Sequence, residues 1–165
     1  MYNYQEATMS ETTRIADQLR RAFDGNAWHG DALFEILNTV TAQQAAARPL
    51  KDAHSIWELV LHITAWDGAV RRRMNGETVQ LQGDDNFPSV TDASEAAWRK
   101  TLDNAKRTHD ELVKAVATFP DSRLNEKVPG KDKEPDWYNF YYMLHGVAQH
   151  ELYHAGQIAL LKKAL

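Results

Sequence analysis

The sequence predicts an all-α protein, a four-helix bundle with long connecting loops, and three observations support this fold class. Four long segments repeat apolar residues every three or four positions, which places those residues on one face of a helix. The stretches between the segments show no convincing strand pattern. A chain of 165 residues is expected to form a single domain, residues 1–165, with a sizeable core. Four amphipathic helices can bury their apolar faces against one another as a bundle.

The first long helix is predicted over residues 10–23. Its apolar residues follow helical spacing: Ile15, Leu19, Ala22 and Phe23. Gly25 and Asn26 interrupt the pattern. A shorter amphipathic stretch is then predicted from residue 31 to about residue 40, and Pro49 closes the loop after it.

The second long helix has the clearest start signal. Ser55 and Glu58 form a capping box, in which each side chain satisfies a free backbone N–H of the first helical turn. A helical apolar pattern follows: Ile56, Leu59, Val60, Ile63, Trp66 and Val70. Three arginines at positions 71–73 suit the negative end of the helix dipole, and Gly76 is a natural stop.

The third and fourth long helices complete the predicted bundle. Residues 92–119 repeat apolar side chains on one face, and Pro120 ends this helix. Residues 121–135 form a polar loop. Asp136 is predicted to cap the last helix, which runs to about Ala164.

Composition excludes several classes of function. The net charge of −4 gives no electrostatic footprint for nucleic acid. No apolar run approaches the roughly 20 residues that span a bilayer, and the N-terminus lacks the pattern of a signal peptide. Cysteine is absent, so the chain has no disulfide, no thiolate metal ligand and no cysteine nucleophile. We therefore expect a cytoplasmic protein.

The most informative motif lies near the C-terminus. His150 and His154 are four residues apart, so on a helix both side chains point the same way and can bind one divalent metal. With Glu151 they also fit the zinc-protease motif H-E-x-x-H. That motif needs a third ligand, usually downstream, and residues 155–165 contain no His, Asp, Glu or Cys. A third ligand must therefore come from earlier in the chain.

His62 is the best candidate for that third ligand. It lies beside Leu59 and Ile63 on the apolar face of the second long helix. Together with His150 and His154 it gives three inward histidines from two helices, and three protein ligands with an open position are typical of catalytic metal sites. The alternative is three separate core histidines, each of which needs its own buried hydrogen-bond partner.

The remaining histidines fit a metal site less well. His145 is about 140° from His150 around the helix and should face elsewhere. His109 lies on the apolar face of the third long helix, which offers no second ligand. His54 precedes a helix cap and is expected to be exposed. His29 lies in an irregular segment between helices.

Three segments, in this order, resemble the DinB-like (DNA-damage-inducible) superfamily of metal-binding four-helix bundles, over nearly the whole length. They are Ala27-Trp28-His29-Gly30, the stretch from His54 to Ile63 followed by Trp66, and the set His150, His154, Gly156, Gln157 and Ile158. The resemblance implies a DinB-like bundle with an atypical helix order. It also implies that His62, His150 and His154 bind nickel or zinc (Ni2+ or Zn2+).

The resemblance further implies a class of reactions. Similar proteins include transferases and isomerases that use low-molecular-weight thiols, and some hydrolases. We therefore expect a metal-dependent transferase or hydrolase acting on a small electrophile, and the resemblance suggests a homodimer. The alternatives are a non-catalytic metal- or ligand-binding stress-response protein and, more remotely, the zinc protease. The superfamily is distinct from the similarly named DNA polymerase, which agrees with the acidic charge.

Four further residues are candidates for catalysis or substrate binding. Glu151 is the candidate general base if the site activates water. It is also about 100° from His150 around the helix, so it could instead support a ligand or lie on the surface. Trp28, His29 and Trp66 are candidates for lining a substrate pocket, although large aromatic residues also serve simply as core.

Overall fold

The computed structural model describes residues 9–165, and its regular secondary structure is helical throughout. The helices are α1 (Glu11–Phe23), α2 (Leu33–Leu37), α3 (Ala42–Ala46), α4 (Ile56–Met74), α5 (Glu95–Ala117) and α6 (Phe140–Lys163), with single 3-10 turns at Gly83–Asp85 and Asp121–Arg123. Within residues 9–165 the only extended pairing is an isolated bridge between Lys127 and Asn139. The predicted all-α class is therefore confirmed.

The four long helices α1, α4, α5 and α6 form the bundle. α4 packs against both α5 and α6, and α1 packs against the same two helices. α1 and α4 therefore occupy opposite corners, although they are consecutive long helices in the chain. In the described part of the chain, no helix is both long enough and apolar enough to cross a bilayer.

A side-chain cap fixes where each of these four helices begins. The side-chain hydroxyls of Ser10 and Ser94 accept hydrogen bonds from backbone N–H groups in the first turns of α1 and α5. The predicted capping box of α4 is present: Ser55 Oγ accepts the Glu58 N–H, and the Glu58 carboxylate accepts the Ser55 N–H at 2.8 Å.

Two predicted boundaries were wrong. The helix predicted over residues 31–40 is shorter, because α2 spans only Leu33–Leu37, and a further short helix that was not predicted starts at Ala42. α6 is capped by Asn139 and not by Asp136. The reason is that the backbone N–H of Phe140 donates to the Glu126 carbonyl, which ties the chain to the preceding loop until α6 begins.

The core consists of two apolar clusters, one toward each end of the bundle. On α4, Ile63 belongs to the first cluster and Val70 to the second. On α6, Ala155 belongs to the first and Val147 to the second. The candidate functional residues lie at the level between these clusters, where α4 and α6 are in contact.

Candidate metal centre

α4 and α6 bring three imidazoles together. His62 Nε2 lies 3.0 Å from His150 Nε2, and His154 Nε2 lies 3.1 Å from the same atom. One ligand atom from each residue falls within 4.8 Å of the others, so the cluster could hold a divalent ion. His62 and His154 are buried, and His150 is partly buried.

Hydrogen bonds orient two of these rings and select their tautomers. His62 Nδ1 lies 2.6 Å from the backbone carbonyl of Asn86, and His154 Nδ1 lies 2.7 Å from Gln157 Oε1. Both partners are acceptors, so each Nδ1 carries the proton and donates it. The Nε2 of each ring is then left with its lone pair directed at the cluster, as in metal sites whose ligands are oriented by a hydrogen bond on the other nitrogen.

The electrostatics of the cluster favour neutral rings. Burial lowers the pKa of His62 and of His154, and burial together with the two neighbouring imidazoles lowers the pKa of His150 to about 3. A proton on His150 Nε2 could be donated to only one of the two facing lone pairs. A divalent cation would accept all three lone pairs at once, so the donor set fits zinc or nickel.

A cavity of about 480 Å3 borders this cluster. Its walls come from α4, α6 and two loops: His62, Trp66, Val70, Arg73, Asn86, Tyr138, Tyr142, Met143, Gly146, Val147, Gln149, His150 and Tyr153. Asn86 also orients the Trp66 ring, because Trp66 Nε1 donates to Asn86 Oδ1 at 2.9 Å. The three-histidine cluster therefore opens onto space large enough for a small molecule.

A second polar cluster is fully buried in the middle of the bundle. His109 Nδ1 on α5 lies 2.9 Å from Glu151 Oε1 on α6 and 3.5 Å from Asp67 Oδ2 on α4. These three residues could also hold a divalent ion. Burial alone would lower the pKa of His109, but the neighbouring carboxylates of Asp67 and Glu151 raise it to about 9. Burial raises the pKa of Asp67, and raises that of Glu151 to about 8.

The two clusters differ in how their charge is balanced. In the buried cluster, the raised pKa values of His109 and Glu151 favour bound protons, which offset the charge of the two carboxylates. The three-histidine cluster favours neutral rings with free lone pairs, and it alone of the two contributes residues to the cavity. His62, His150 and His154 are therefore better placed than the buried cluster to bind a metal that a substrate can reach.

The structure places the other predicted site residues in different surroundings. Trp66 lines the cavity, and so does Tyr153. Trp28 is fully exposed. His29 lines a separate cavity with Asp31 and Lys163. The structure therefore brings Trp66 to the three histidines but does not bring Trp28 or His29 there.

Glu151, the candidate general base, belongs to the buried cluster. Its side chain is 0% exposed, and its carboxylate accepts a hydrogen bond from His109. It therefore faces the bundle core and not the cavity. A zinc protease would need this carboxylate beside the metal, so the geometry gives that alternative no support.

Sequence reasoning assigned no site role to four residues around the clusters and the cavity, although Gln157 was among the residues that carry the family resemblance. Asp67 had a signal, because it is an acidic residue on an otherwise apolar helix face. Gln157 lies one helical turn from His154 and could have been found from spacing. Asn86 lies in a loop and carries no signal. Arg73 could not be told apart from Arg71 and Arg72 by sequence.

An all-helical bundle with three convergent imidazoles at a cavity defines the class of candidate metal-binding helical bundles. Comparison with protein families matches residues 26–158 to the DinB superfamily. The chain belongs to that superfamily, and the resemblance seen in the sequence is confirmed. Comparisons with curated proteins and with solved structures give no match.

Proposed function

We propose that this protein is a divalent-metal-dependent enzyme in which His62, His150 and His154 bind the metal. The reaction is transfer of a low-molecular-weight thiol to a small electrophile, or hydrolysis of such an electrophile. The observation that carries the proposal is the convergence of three Nε2 atoms at the edge of a cavity of about 480 Å3. Nickel or zinc is the metal that the resemblance suggests.

The donor set determines what chemistry a bound metal would supply. Three neutral imidazoles leave the charge of a divalent ion uncompensated, so the ion favours an anion, thiolate or hydroxide, as its remaining ligand. The protein contains no cysteine, so a thiol would have to enter as a cosubstrate. In the transfer, the thiol loses its proton to solvent, its sulfur bonds to the electrophilic carbon, and the leaving group departs with the bonding electron pair.

The cavity walls support a small substrate. Trp66, Tyr142 and Tyr153 present aromatic surface, and Val70 and Val147 add aliphatic surface. Such surfaces can contact an apolar electrophile beside the histidines. The hydrogen bonds of His62 and His154 keep their rings fixed while the substrate binds.

The test begins with the metal content of the purified protein. The metal-loaded protein is then assayed with a panel of low-molecular-weight thiols and a chloronitrobenzene electrophile, and separately with nitrophenyl esters. We expect turnover that is lost in His154→Ala. His29→Ala is the matched control, since His29 lines a different cavity and its loss should leave turnover unchanged.

Two outcomes would contradict the proposal. Turnover that survives removal of the metal would reject the metal-dependent mechanism. Stoichiometric metal without turnover across both panels would favour the alternative function, a non-catalytic metal-binding protein.

A further inference from the structure

Arg73 lies at the far end of the cavity from the three histidines. Residues 62, 66, 70 and 73 are spaced by four, four and three positions, so they follow one face of α4, and all four line the cavity. Arg73 is only 3% exposed. The cavity therefore has a buried cation at one end and the candidate metal cluster at the other.

The charge of Arg73 is not balanced within the described chain. Its Nε and Nη2 both donate to the backbone carbonyl of Val79, at 3.1 Å and 2.7 Å, and its guanidinium lies 5.3 Å from the centre of the Trp66 ring. Among residues 9–165, no carboxylate oxygen lies within ion-pair distance of Arg73.

The two neighbouring arginines behave differently. Arg71 pairs with Glu111 at 3.0 Å and Arg72 pairs with Glu77 at 2.8 Å, both at the surface. A buried guanidinium without a counter-charge is costly, and burial lowers the pKa of Arg73 for the same reason. Tyr138, a neutral phenol, is the other polar neighbour of the guanidinium. An anion that enters the cavity and accepts the N–H groups left free by Val79 and Tyr138 would offset the cost.

We propose that Arg73 binds the carboxylate of an elongated organic anion whose opposite end reaches the three-histidine cluster. The reactive-end assignment rests on the proposed function, whereas the carboxylate end rests on Arg73 alone. Eleven residues separate positions 62 and 73, a rise of roughly 16 Å along α4. The Arg73 guanidinium lies 5.3 Å from the centre of the Trp66 ring, and that ring lies 6.4 Å from the centre of the His62 ring, so the gap between the two ends is shorter than this rise.

The walls between the two ends define the middle of the ligand. α4 contributes Trp66 and Val70, and α6 contributes Met143 and Val147. These side chains are apolar or aromatic and suit an aliphatic chain or a phenyl ring. The ligand class is therefore a carboxylate with an apolar body and a thiol or electrophilic group at the other end.

Two pairs of probes test the proposal. In the first pair, ω-mercaptoalkanoates are compared with the matching ω-mercaptoalkanamides by the cobalt–thiolate absorption of the Co2+-loaded protein. In the second pair, phenylbutyrate is compared with phenylbutyramide by calorimetry, which needs no metal–thiolate bond. We expect each acid to bind at least about tenfold more tightly than its amide, because the amide cannot form the charge-assisted hydrogen bond with Arg73.

Variants at one position assign the preference to Arg73. Arg73→Gln removes the charge but retains an amide donor for the Val79 carbonyl, and it should bind acid and amide equally. Arg73→Lys retains the charge and should keep part of the preference. Arg72→Met removes a surface charge from the same helical turn and should leave the preference unchanged.

The outcomes separate this inference from the proposed function. Equal binding of acid and amide by the native protein overturns the role of Arg73 even if the metal centre is correct, and this comparison does not depend on any variant folding. If neither the mercaptoalkanoates nor the mercaptoalkanamides produce cobalt–thiolate absorption, the proposed thiolate chemistry is overturned. The comparison of phenylbutyrate with phenylbutyramide then still decides whether the cavity selects a carboxylate. A preference that persists in folded Arg73→Gln also rejects the assignment.

Discussion

His150 and Glu151 are neighbours in the chain, yet their side chains enter two different clusters on two sides of α6. His150 Nε2 lies 3.0 Å from His62 on the cavity side, and the Glu151 carboxylate lies 2.9 Å from His109 Nδ1 in the buried core. One helical step of about 100° produces this division. The rotation of α6 is thereby held from both sides, because a shift that improved one set of contacts would weaken the other.

Removal of the metal should destabilise the fold. Ligands from α4 and α6 join helices that are distant in sequence, and a metal that binds only the folded state adds about 2.7 kcal/mol to the unfolding free energy at 100 times its Kd. We expect one metal per chain and a lower melting temperature with a chelator. The variant with His62, His150 and His154 all replaced by Ala should hold no metal and melt at the same temperature with or without chelator. Unchanged metal content in this variant would reject the site.

Gln157 should matter for metal affinity although it is not a candidate ligand. It accepts the Nδ1 proton of His154 and so presents the Nε2 lone pair to the cluster. Gln157→Leu should weaken metal binding by about 10- to 100-fold, as is usual when a partner of a ligand is lost. Competition with a chromogenic chelator measures the change. Gln43→Leu, an exposed position on α3, is the control. Equal affinities in the two variants would argue against the tautomer assignment.

Asp67 should separate the two candidate metal clusters. Asp67→Ala breaks a buried charge network and should lower the unfolding free energy by about 3 kcal/mol. Because Asp67 is not part of the three-histidine cluster, the folded variant should keep its full metal content. Chemical denaturation and elemental analysis of the same preparation provide both values. Loss of metal from the folded Asp67→Ala variant would indicate that the metal binds in the buried cluster instead.

The buried cluster should make stability fall in mild alkali. The folded-state pKa of His109 is raised from 6.5 to about 9, so the folded protein binds this proton more tightly than the unfolded chain does. Its stabilising contribution is complete below about pH 6.5 and is lost as the pH rises toward 9. The raised pKa of Glu151 acts in the same direction.

Urea denaturation of the protein in the presence of a chelator, at several pH values, tests this effect. The unfolding free energy should decline between pH 6.5 and 9 in the native sequence. The decline should be smaller when His109→Gln and Glu151→Gln are combined, because that variant can take up neither proton. An equal decline in both proteins would show that the protons are held elsewhere.

The capping box of α4 should contribute to stability without affecting the metal. Ser55→Ala removes the acceptor of the Glu58 N–H and should cost about 1 kcal/mol. The cap lies almost two turns from His62, so metal affinity should be little changed. Thermal unfolding and a metal titration measure the two effects. A large loss of affinity would mean that the start of α4 positions His62 more directly than its contacts indicate.

The sequence predicts the long helices well because each carries its own signals. The apolar spacing of Ile63 and Val70 and the cap at Ser55 are local features, and the structure retains them. The start of α6 could not be predicted, because it depends on a hydrogen bond between Phe140 and Glu126 that forms only when the loop folds back. The break between α2 and α3, by contrast, has a local cause, because Thr41 and Gln44 form a capping box that starts α3.

The candidate site shows the same division between local and tertiary information. His150 and His154 can be paired from their spacing on one helix, and His62 from its place on an apolar face. The cluster of Asp67, His109 and Glu151 requires the relative rotation of three helices, which no local pattern gives. Similarly, the sequence explains Arg73 only as a favourable charge at the C-terminal end of α4. Its place in the cavity wall depends on the packing of α4 against α6.

Asn86 has a consequence for how this pocket could be redesigned. Its backbone carbonyl holds His62, whereas its side-chain amide holds Trp66. Any residue at this position supplies a carbonyl, but few supply an acceptor for the indole. Exchange of this one loop side chain would therefore release the aromatic wall while leaving the imidazole in place. If the proposed function holds, metal retention and substrate choice can be changed separately at this position, which makes it a practical starting point for engineering new selectivity.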